Sequence, residues 1–262
     1  MSNFLVTGGT DGIGREVARR LLRRGDRVMT VGRDAAKAVD GATFVRADLS
    51  RVADAAAVAE RTAAHFPVLD GIVLCARHYR SARTETPDGF EENFALFYLS
   101  RYLLGHHLVE HLEHAERPVI ANVAGPGSAA PIPWDDLQLR AGYAGGAALG
   151  LGGRYNDLLG AAYAERHPAA RTRYLLFHPG IVATSFSGEY DPATRAHVDR
   201  LRRSGRPPAR AAAEILARMD APPPEPLSAY VEGVRIGVAT PAFDRRDALR
   251  LDRLTRDLLG EA

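Results

Sequence analysis

FLVTGGTDGIGREVARRLL, residues 4–22, passes from a strand-length apolar run through a glycine-rich turn into an amphipathic helix. Gly8, Gly12 and Gly14 let the backbone turn tightly and present N–H groups to a pyrophosphate, and the helix that opens at Ile13 adds its positive dipole end. A tight turn that binds nothing has the same pattern, so the rest of the chain has to be weighed with it. Outward from this stretch, apolar runs of strand length alternate with amphipathic segments of helix length. Strands are expected near Phe4–Thr7, Arg27–Val31, Thr43–Arg46, Leu69–Leu74, Val119–Val123, Arg173–Phe177 and Val234–Val238. Helices are expected over Ile13–Arg24, Val52–His65, Pro87–His114 and Leu149–Arg166, with shorter ones after Asp191 and Pro208. This order predicts an α/β fold, a doubly wound seven-stranded parallel sheet with helices on both faces. The proline cluster APPPEP, residues 221–226, reads as a turn before the last strand.

Composition narrows the function classes. The chain has 262 residues, 46% hydrophobic, enough to bury the core of a single domain. Cys75 is the one cysteine, which excludes an internal disulfide framework, and MSNFLVTGG enters a strand without an export signal, so a cytoplasmic location is expected. No apolar run has the length of about 18 residues that a membrane span needs. Net charge is +2 with arginines scattered among acids, which argues against nucleic-acid binding. Lys37 is the only lysine, so a mechanism needing a lysine elsewhere is excluded.

The form Thr7-Gly8-x-x-x-Gly12-Ile13-Gly14 resembles the short-chain dehydrogenase/reductase family. Further stretches stand where that family would have them: ADLS with Asp48 and Leu49, HPGIVAT (residues 178–184), and DGFEENFALFYLSRYLL and AFDRRDALRLDRLTRDLL, which look like the central and C-terminal helices of its retinol-dehydrogenase-like branch. The resemblance covers nearly the whole chain and implies one Rossmann-type domain over residues 1–262, with 185–230 as a substrate-covering segment. It implies a dinucleotide site made of Thr7, Gly8, Gly12, Ile13, Gly14, Arg33, Asp48, Leu49, Ala76, Pro179, Gly180, Val182 and Thr184. Arg33 stands where an enzyme using the unphosphorylated cofactor carries a ribose-binding acid, and a guanidinium there can pair with a 2′-phosphate. NADP(H) is therefore favoured over NAD(H), with Arg15 as a helper. A homo-oligomer through the 87–114 and 149–166 helices is also implied.

The chemical end departs from the family. A tyrosine with a lysine four residues on, a serine and an asparagine make the family's tetrad, and the phenol needs the ammonium because its free pKa is about 10. Aligned on RYNDLL, Leu149 takes the tyrosine position and Gly153 the lysine position; Gly125 takes the serine's and Phe97 the asparagine's. Ser128 and Asn93 lie nearby, with loop and surface or capping roles expected of them. Cys75 replaces a structural asparagine and is expected to be a buried, inert thiol. Arg77 replaces a glycine, and either blocks the nicotinamide pocket or binds an anion in it. Tyr143, Tyr79 and His78 are the replacement proton donors that the segments around the cavity offer. His107, His111 and His114, with Glu110, share a helical face, for which solvent or a partner subunit is expected rather than a metal. Arg200, Arg202, Arg203, Arg206 and Arg210 sit in the covering segment, on a solvated face or against an anionic substrate. The five glycines at 145, 146, 150, 152 and 153 disfavour a helix, and either close packing or room for a flat substrate would explain them.

Two functions fit: an NADPH-dependent reductase of an activated small organic substrate, or a redox-silent relative, such as a cyclase, isomerase, dehydratase or NADP-binding regulatory protein.

Overall fold

The computed structural model describes residues 1–128 and 130–260. In chain order the elements are β1 (Asn3–Thr7), α1 (Gly12–Arg23), β2 (Arg27–Gly32), β3 (Thr43–Arg46), α2 (Val52–His65), β4 (Gly71–Leu74), β5 (Tyr79–Arg80), α3 (Glu92–Phe94), α4 (Ser100–His107) and α5 (Val109–Glu113). They continue with β6 (Val119–Val123), α6 (Gly145–Arg166), β7 (Arg173–His178), β8 (Gly188–Glu189), α7 (Pro192–Ser204), α8 (Pro208–Asp220), β9 (Leu227–Val231), β10 (Val234–Ile236) and α9 (Arg245–Leu259). The main sheet runs β10-β9-β7-β6-β4-β1-β2-β3. Seven strands are parallel, buried between two apolar layers, one holding α2, α4 and α6 and the other α1 and α8.

Three boundaries differ from those the sequence suggests. The seventh parallel strand is β9, not Val234–Val238: LSAYV pairs with β7 from Tyr174↔Leu227 to His178↔Val231, and Val234–Ile236 folds back as an antiparallel edge. Glu232 and Gly233, at φ 50° and 84°, make the two-residue turn between them, the left-handed geometry of a tight hairpin. The expected helix over Pro87–His114 begins at Glu92, capped by the Glu91 carboxylate, which accepts from Asn93 N and Phe94 N at 2.9 and 2.7 Å. It widens into a π-helical turn over Ala95–Leu99 and breaks at Leu108. There the Leu96 carbonyl accepts from Ser100 Oγ and the Phe97 carbonyl from Asn156 Nδ2, drawing acceptors away from the helical ladder.

Helix α6 starts at Gly145, four residues before Leu149, and its glycines divide in two. A Cβ at Gly145 would lie 2.2 Å from the Arg80 carbonyl oxygen, and one at Gly152 2.4 Å from Phe97 Cδ1. Close packing requires these two glycines. A Cβ at Gly146 or Gly150 would meet no atom within 4 Å, so contact does not explain them. Residues 151–163 of α6 are buried, and α9 packs along this helix within the chain itself.

Candidate cofactor and substrate site

Strand order reverses between β1 and β4, and in open α/β sheets the crevice at that switch point receives the ligand. Thr7 Oγ1 ties the two strand ends by accepting from Cys75 N at 3.2 Å and Ala76 N at 3.3 Å. The turn that follows leaves no room for side chains. Gly8 has φ +63°, and a Cβ on it would lie 2.8 Å from Ala76 N; Gly12 has φ +50°, and its Cβ would lie 2.7 Å from Thr184 Cγ2. A Cβ at Gly14 would meet the Gly8 carbonyl oxygen at 2.5 Å. Bare backbone therefore faces the crevice at the N-terminus of α1, where Asp11 caps the helix by accepting from Gly12 N at 2.7 Å. The crevice opens into a cavity of about 780 Å³, within the range of about 300–1,000 Å³ usual for cofactor and small-molecule sites. Gly8, Gly12, Ile13, Gly14, Arg33, Asp48, Leu49, Ala76, Pro179, Gly180, Val182 and Thr184 all line it; Thr7 stands behind the wall. Bare backbone at a helix N-terminus is the donor set that suits a dinucleotide pyrophosphate, and the close approach of Ala76, Thr184 and the Gly8 carbonyl leaves no room for a side chain at any of the three glycines.

At the end beside β2 and β3, Arg33 and Lys37 line the cavity with Asp34 between them in sequence. Asp34 caps the short turn Ala35–Lys37 and lies 3.9 Å from Lys37 Nζ. Arg33 is exposed and has no hydrogen-bond or ion-pair partner among the described residues. Its charge reaches across to His78 and Glu189, helping to depress both pKa values. Asp48 turns one oxygen to Ser50, which donates through N at 3.1 Å and Oγ at 2.7 Å. Arg15 is turned away, into a separate groove with Arg19, Arg23 and Asp40.

Leu149, Gly153, Gly125 and Phe97, which the sequence alone aligns with the tetrad, stand near one another. Leu149 lines the cavity, and Phe97 packs on Gly152 of the same helix. A Cβ on Gly153 would stand 3.3 Å from the Gly125 carbonyl oxygen, and one on Gly125 would meet nothing closer than His178 Cδ2 at 3.8 Å. None of the four residues carries a titratable group.

Of the candidate donors, His78 lines the cavity, its Nδ1 2.9 Å from Ser187 Oγ. Burial first, then the charges of Arg80 and Arg33, lower its pKa, which favours the neutral ring. Tyr143 and Tyr79 lie outside the lining. The Tyr143 hydroxyl donates to the Arg80 carbonyl at 3.1 Å and accepts from Asn93 Nδ2 at 3.0 Å, while burial and Glu91 push its pKa up to about 12. Asn93 is buried in this network rather than at the surface. Tyr79 stacks on Tyr190 with centroids 5.2 Å apart. Cys75 borders the cavity, half-buried, and desolvation pushes its thiol up to about 12, which disfavours the thiolate.

Sequence reasoning missed several groups. Tyr190 is the one tyrosine in the cavity wall, brought there by the two-residue ribbon β5–β8, with the Tyr79↔Gly188 register. Arg195 joins it from α7 with Arg202, while Arg206 and Arg210 bind Glu214 instead. Beneath the site, Arg101 is almost fully buried, its guanidinium 4.4 Å from the Phe97 ring centroid. It donates to the side chain of Asn122 and to the carbonyls of Val123 and Ala76, the latter two at 3.0 Å, joining the ends of β4 and β6. Asp157 of α6 accepts from Gly127 N at 2.9 Å, and burial raises its pKa to about 7. Ser128 adjoins that contact, with its hydroxyl accepting from Ala130 N. The histidine face is interrupted at Leu108, and His114 Nδ1 lies 3.0 Å from the Pro67 carbonyl. Among the described residues no three His, Cys, Asp or Glu side chains converge as metal ligands, and no helix is long and apolar enough to cross a membrane.

Within the segment 185–230, Ser185–Gly188, Tyr190, Arg195, Leu201 and Arg202 contribute to the cavity wall. Helix α8 instead packs on α1, and residues from Leu227 belong to the main sheet.

The short chain dehydrogenase family model matches residues 2–135. Retinol dehydrogenase 12 of Mus musculus is 30% identical over 196 residues, a match that takes in 70% of this chain and 62% of that protein's length. Among solved structures, the 3-alpha-hydroxysteroid dehydrogenase from Pseudomonas sp. B-0831 complexed with NADH superposes with a TM-score of 0.70 at 20% identity, over 88% of this chain and 94% of its own. A short chain dehydrogenase from Burkholderia cenocepacia J2315 in complex with NADP does so with a TM-score of 0.66 at 19% identity, over 88% and 95%.

Proposed function

Because the chain belongs to the short-chain dehydrogenase family, we propose that it is an NADP(H)-dependent reductase of an activated small organic substrate, working without the family's tyrosine and lysine. The observation that carries this reading is the pairing of an intact glycine cradle with a cavity wall holding one tyrosine, Tyr190, and one lysine, Lys37, far apart in sequence. Gly8, Gly12 and Gly14 would hold the pyrophosphate, Asp48 the adenine, Arg33 and Lys37 the 2′-phosphate, and Thr184 the carboxamide end. Bound there, the dihydronicotinamide supplies a hydride to an electrophilic carbon.

The chain's own residues do the remainder. Leu149, Leu96 and Val123 line the cavity with apolar surface that excludes water from the reacting carbon. Leu149 and Gly153 offer no proton, so a simple ketone, which needs one delivered as the oxyanion forms, forgoes about 10²- to 10⁴-fold in rate. An enone, iminium ion or quinone-like ring already polarises itself and forgoes less. His78, which lines the cavity with a depressed pKa, is our candidate for relaying a proton, through the Ser187 hydroxyl at its Nδ1. The test is deuteride transfer from stereospecifically 4-deuterated NADPH to a panel of enones, quinones and simple ketones. Label from one face only, recovered in product and faster for the activated members, supports the reading. Saturable NADPH binding with no label transferred to any member would favour the redox-silent alternative.

A further inference from the structure

Arg77 follows β4 and reaches into the cavity with no carboxylate to meet it. Among the described residues its guanidinium has no hydrogen bond or ion pair; its near contact is the Phe97 ring, 5.9 Å from its centroid. The side chain is exposed and forms part of the cavity wall. Desolvation by that wall lowers its pKa, with Tyr190 acting in the opposite sense. Arg195 and Arg202 complete a cationic trio from α7. Arg195 lies 5.8 Å over the Tyr190 ring, and the charges of Arg77, Arg202 and Arg195 all act on that phenol. Arg202 is partly compensated by Asp199 at 3.0 Å; Arg77 and Arg195 are not compensated by any acid among the described residues. The carboxylates in the cavity wall are Asp11, Asp34 and Asp48, which cap α1, cap the Ala35–Lys37 turn and hold Ser50.

An exposed guanidinium that faces a cavity without a carboxylate partner is available to an anionic group on a ligand. The glycine turn that would cradle a pyrophosphate approaches Ala76, the chain neighbour of Arg77, whereas the Arg77 guanidinium extends toward the Phe97 ring, so titration with NADPH present separates the two anions. Leu96, Ala124 and Leu149 give the same cavity apolar wall. We propose that this end of the cavity recognises an oxyanion, a carboxylate or phosphate, carried on an apolar body, with Arg77 as its principal ligand. This rests on the reductase reading for calling the ligand a substrate, and on the free protein alone for its binding.

The test is calorimetric titration with 2-naphthoate, its neutral isostere 2-naphthamide, and phenyl phosphate, with and without saturating NADPH, on the wild type and Arg77→Met. A charge-assisted bond to guanidinium predicts a preference for naphthoate over naphthamide of about 10- to 100-fold, kept in the presence of NADPH and reduced at least about tenfold in Arg77→Met. The stronger of naphthoate and phenyl phosphate identifies the head group. Equal binding of charged and neutral naphthalenes by the wild type overturns the proposal, even if the variant fails to fold. So does a preference abolished by NADPH, which would assign the cations to the cofactor, or one unchanged in a folded Arg77→Met. Arg77-dependent naphthoate binding in a protein that does not bind NADPH would leave the anion site standing and remove the reductase reading.

Discussion

Replacing Arg33 by alanine separates the two nicotinamide cofactors. Its guanidinium is exposed at the cavity rim, without a partner among the described residues, beside a second cation, Lys37. A charge-assisted, two-pronged bond to phosphate contributes about 1.5–3 kcal/mol, and exposure moves the value towards the lower end. Taking about 1.5–2 kcal/mol, and about 1.4 kcal/mol per decade, NADPH should bind about 10- to 30-fold more weakly. NADH lacks the 2′-phosphate, so its dissociation constant should move by less than about twofold. Lys37 is 63% accessible and shares its charge with Asp34 at 3.9 Å, so Lys37→Ala should cost NADPH only about two- to fivefold, as for an exposed pair. Fluorescence titration of each protein with each nucleotide, at low and high salt, gives the constants, and the NADPH penalties should shrink as salt rises. Equal losses for NADPH and NADH, or no loss for either, would refute the assignment of Arg33 to the 2′-phosphate.

Other perturbations probe the surrounding structure. Burial raises the Asp157 carboxyl to about 7, so the folded state holds that proton when the unfolded chain has lost it. Stability from this group is complete below the unfolded value, about 4, and is lost as pH rises towards 7. Asp157→Asn should therefore remove a slope worth a few kcal/mol between about pH 4 and 7; urea unfolding that shows a pH-independent difference between the two proteins would contradict this. Gly152→Ala drives a methyl to 2.4 Å from Phe97 Cδ1, an overpacking expected to cost about 1–3 kcal/mol. Thermal melting should fall by several degrees, and an unchanged midpoint would show that Phe97 is not held as described. Leu149→Tyr with Gly153→Lys supplies a phenol and an ammonium at the family's positions, and reduction of simple ketones should rise at least about tenfold. No gain in a folded double variant that still binds NADPH would mean that a missing acid is not what limits the reaction.

That the glycine turn, Asp48 and the 179–184 segment would meet in one cavity was legible because the determinants are local. Glycines at fixed offsets, one acid after a strand and the Pro179–Thr184 segment carry their meaning within a few residues, and all reach one crevice. The strand at Leu227–Val231 was not, because it is short, follows a proline cluster and is defined by pairing with Arg173–His178. The Glu232-Gly233 turn was the available signal, since a left-handed pair between apolar runs marks a hairpin. Tyr190 and Arg195 escaped for a similar reason: the ribbon that carries them joins residues 79–80 to 188–189, too short a pairing to leave a period. Arg101 gave no sign of its burial, which depends on carbonyls at the ends of two other strands. The opposite case is the glycine-rich helix, where the sequence raised a question that packing answers at positions 145 and 152 and leaves open at 146 and 150.

The claim on which the account turns is that the crevice after β1 holds a dinucleotide although Leu149 and Gly153 stand where proton-handling groups would be. Titration of the purified protein with NADPH, beside Gly12→Val, tests it directly. Saturable enhancement of nucleotide fluorescence at micromolar concentration, abolished by a valine side chain driven into Thr184, is the predicted result. No saturation at millimolar NADPH, or identical curves for both proteins, would contradict it.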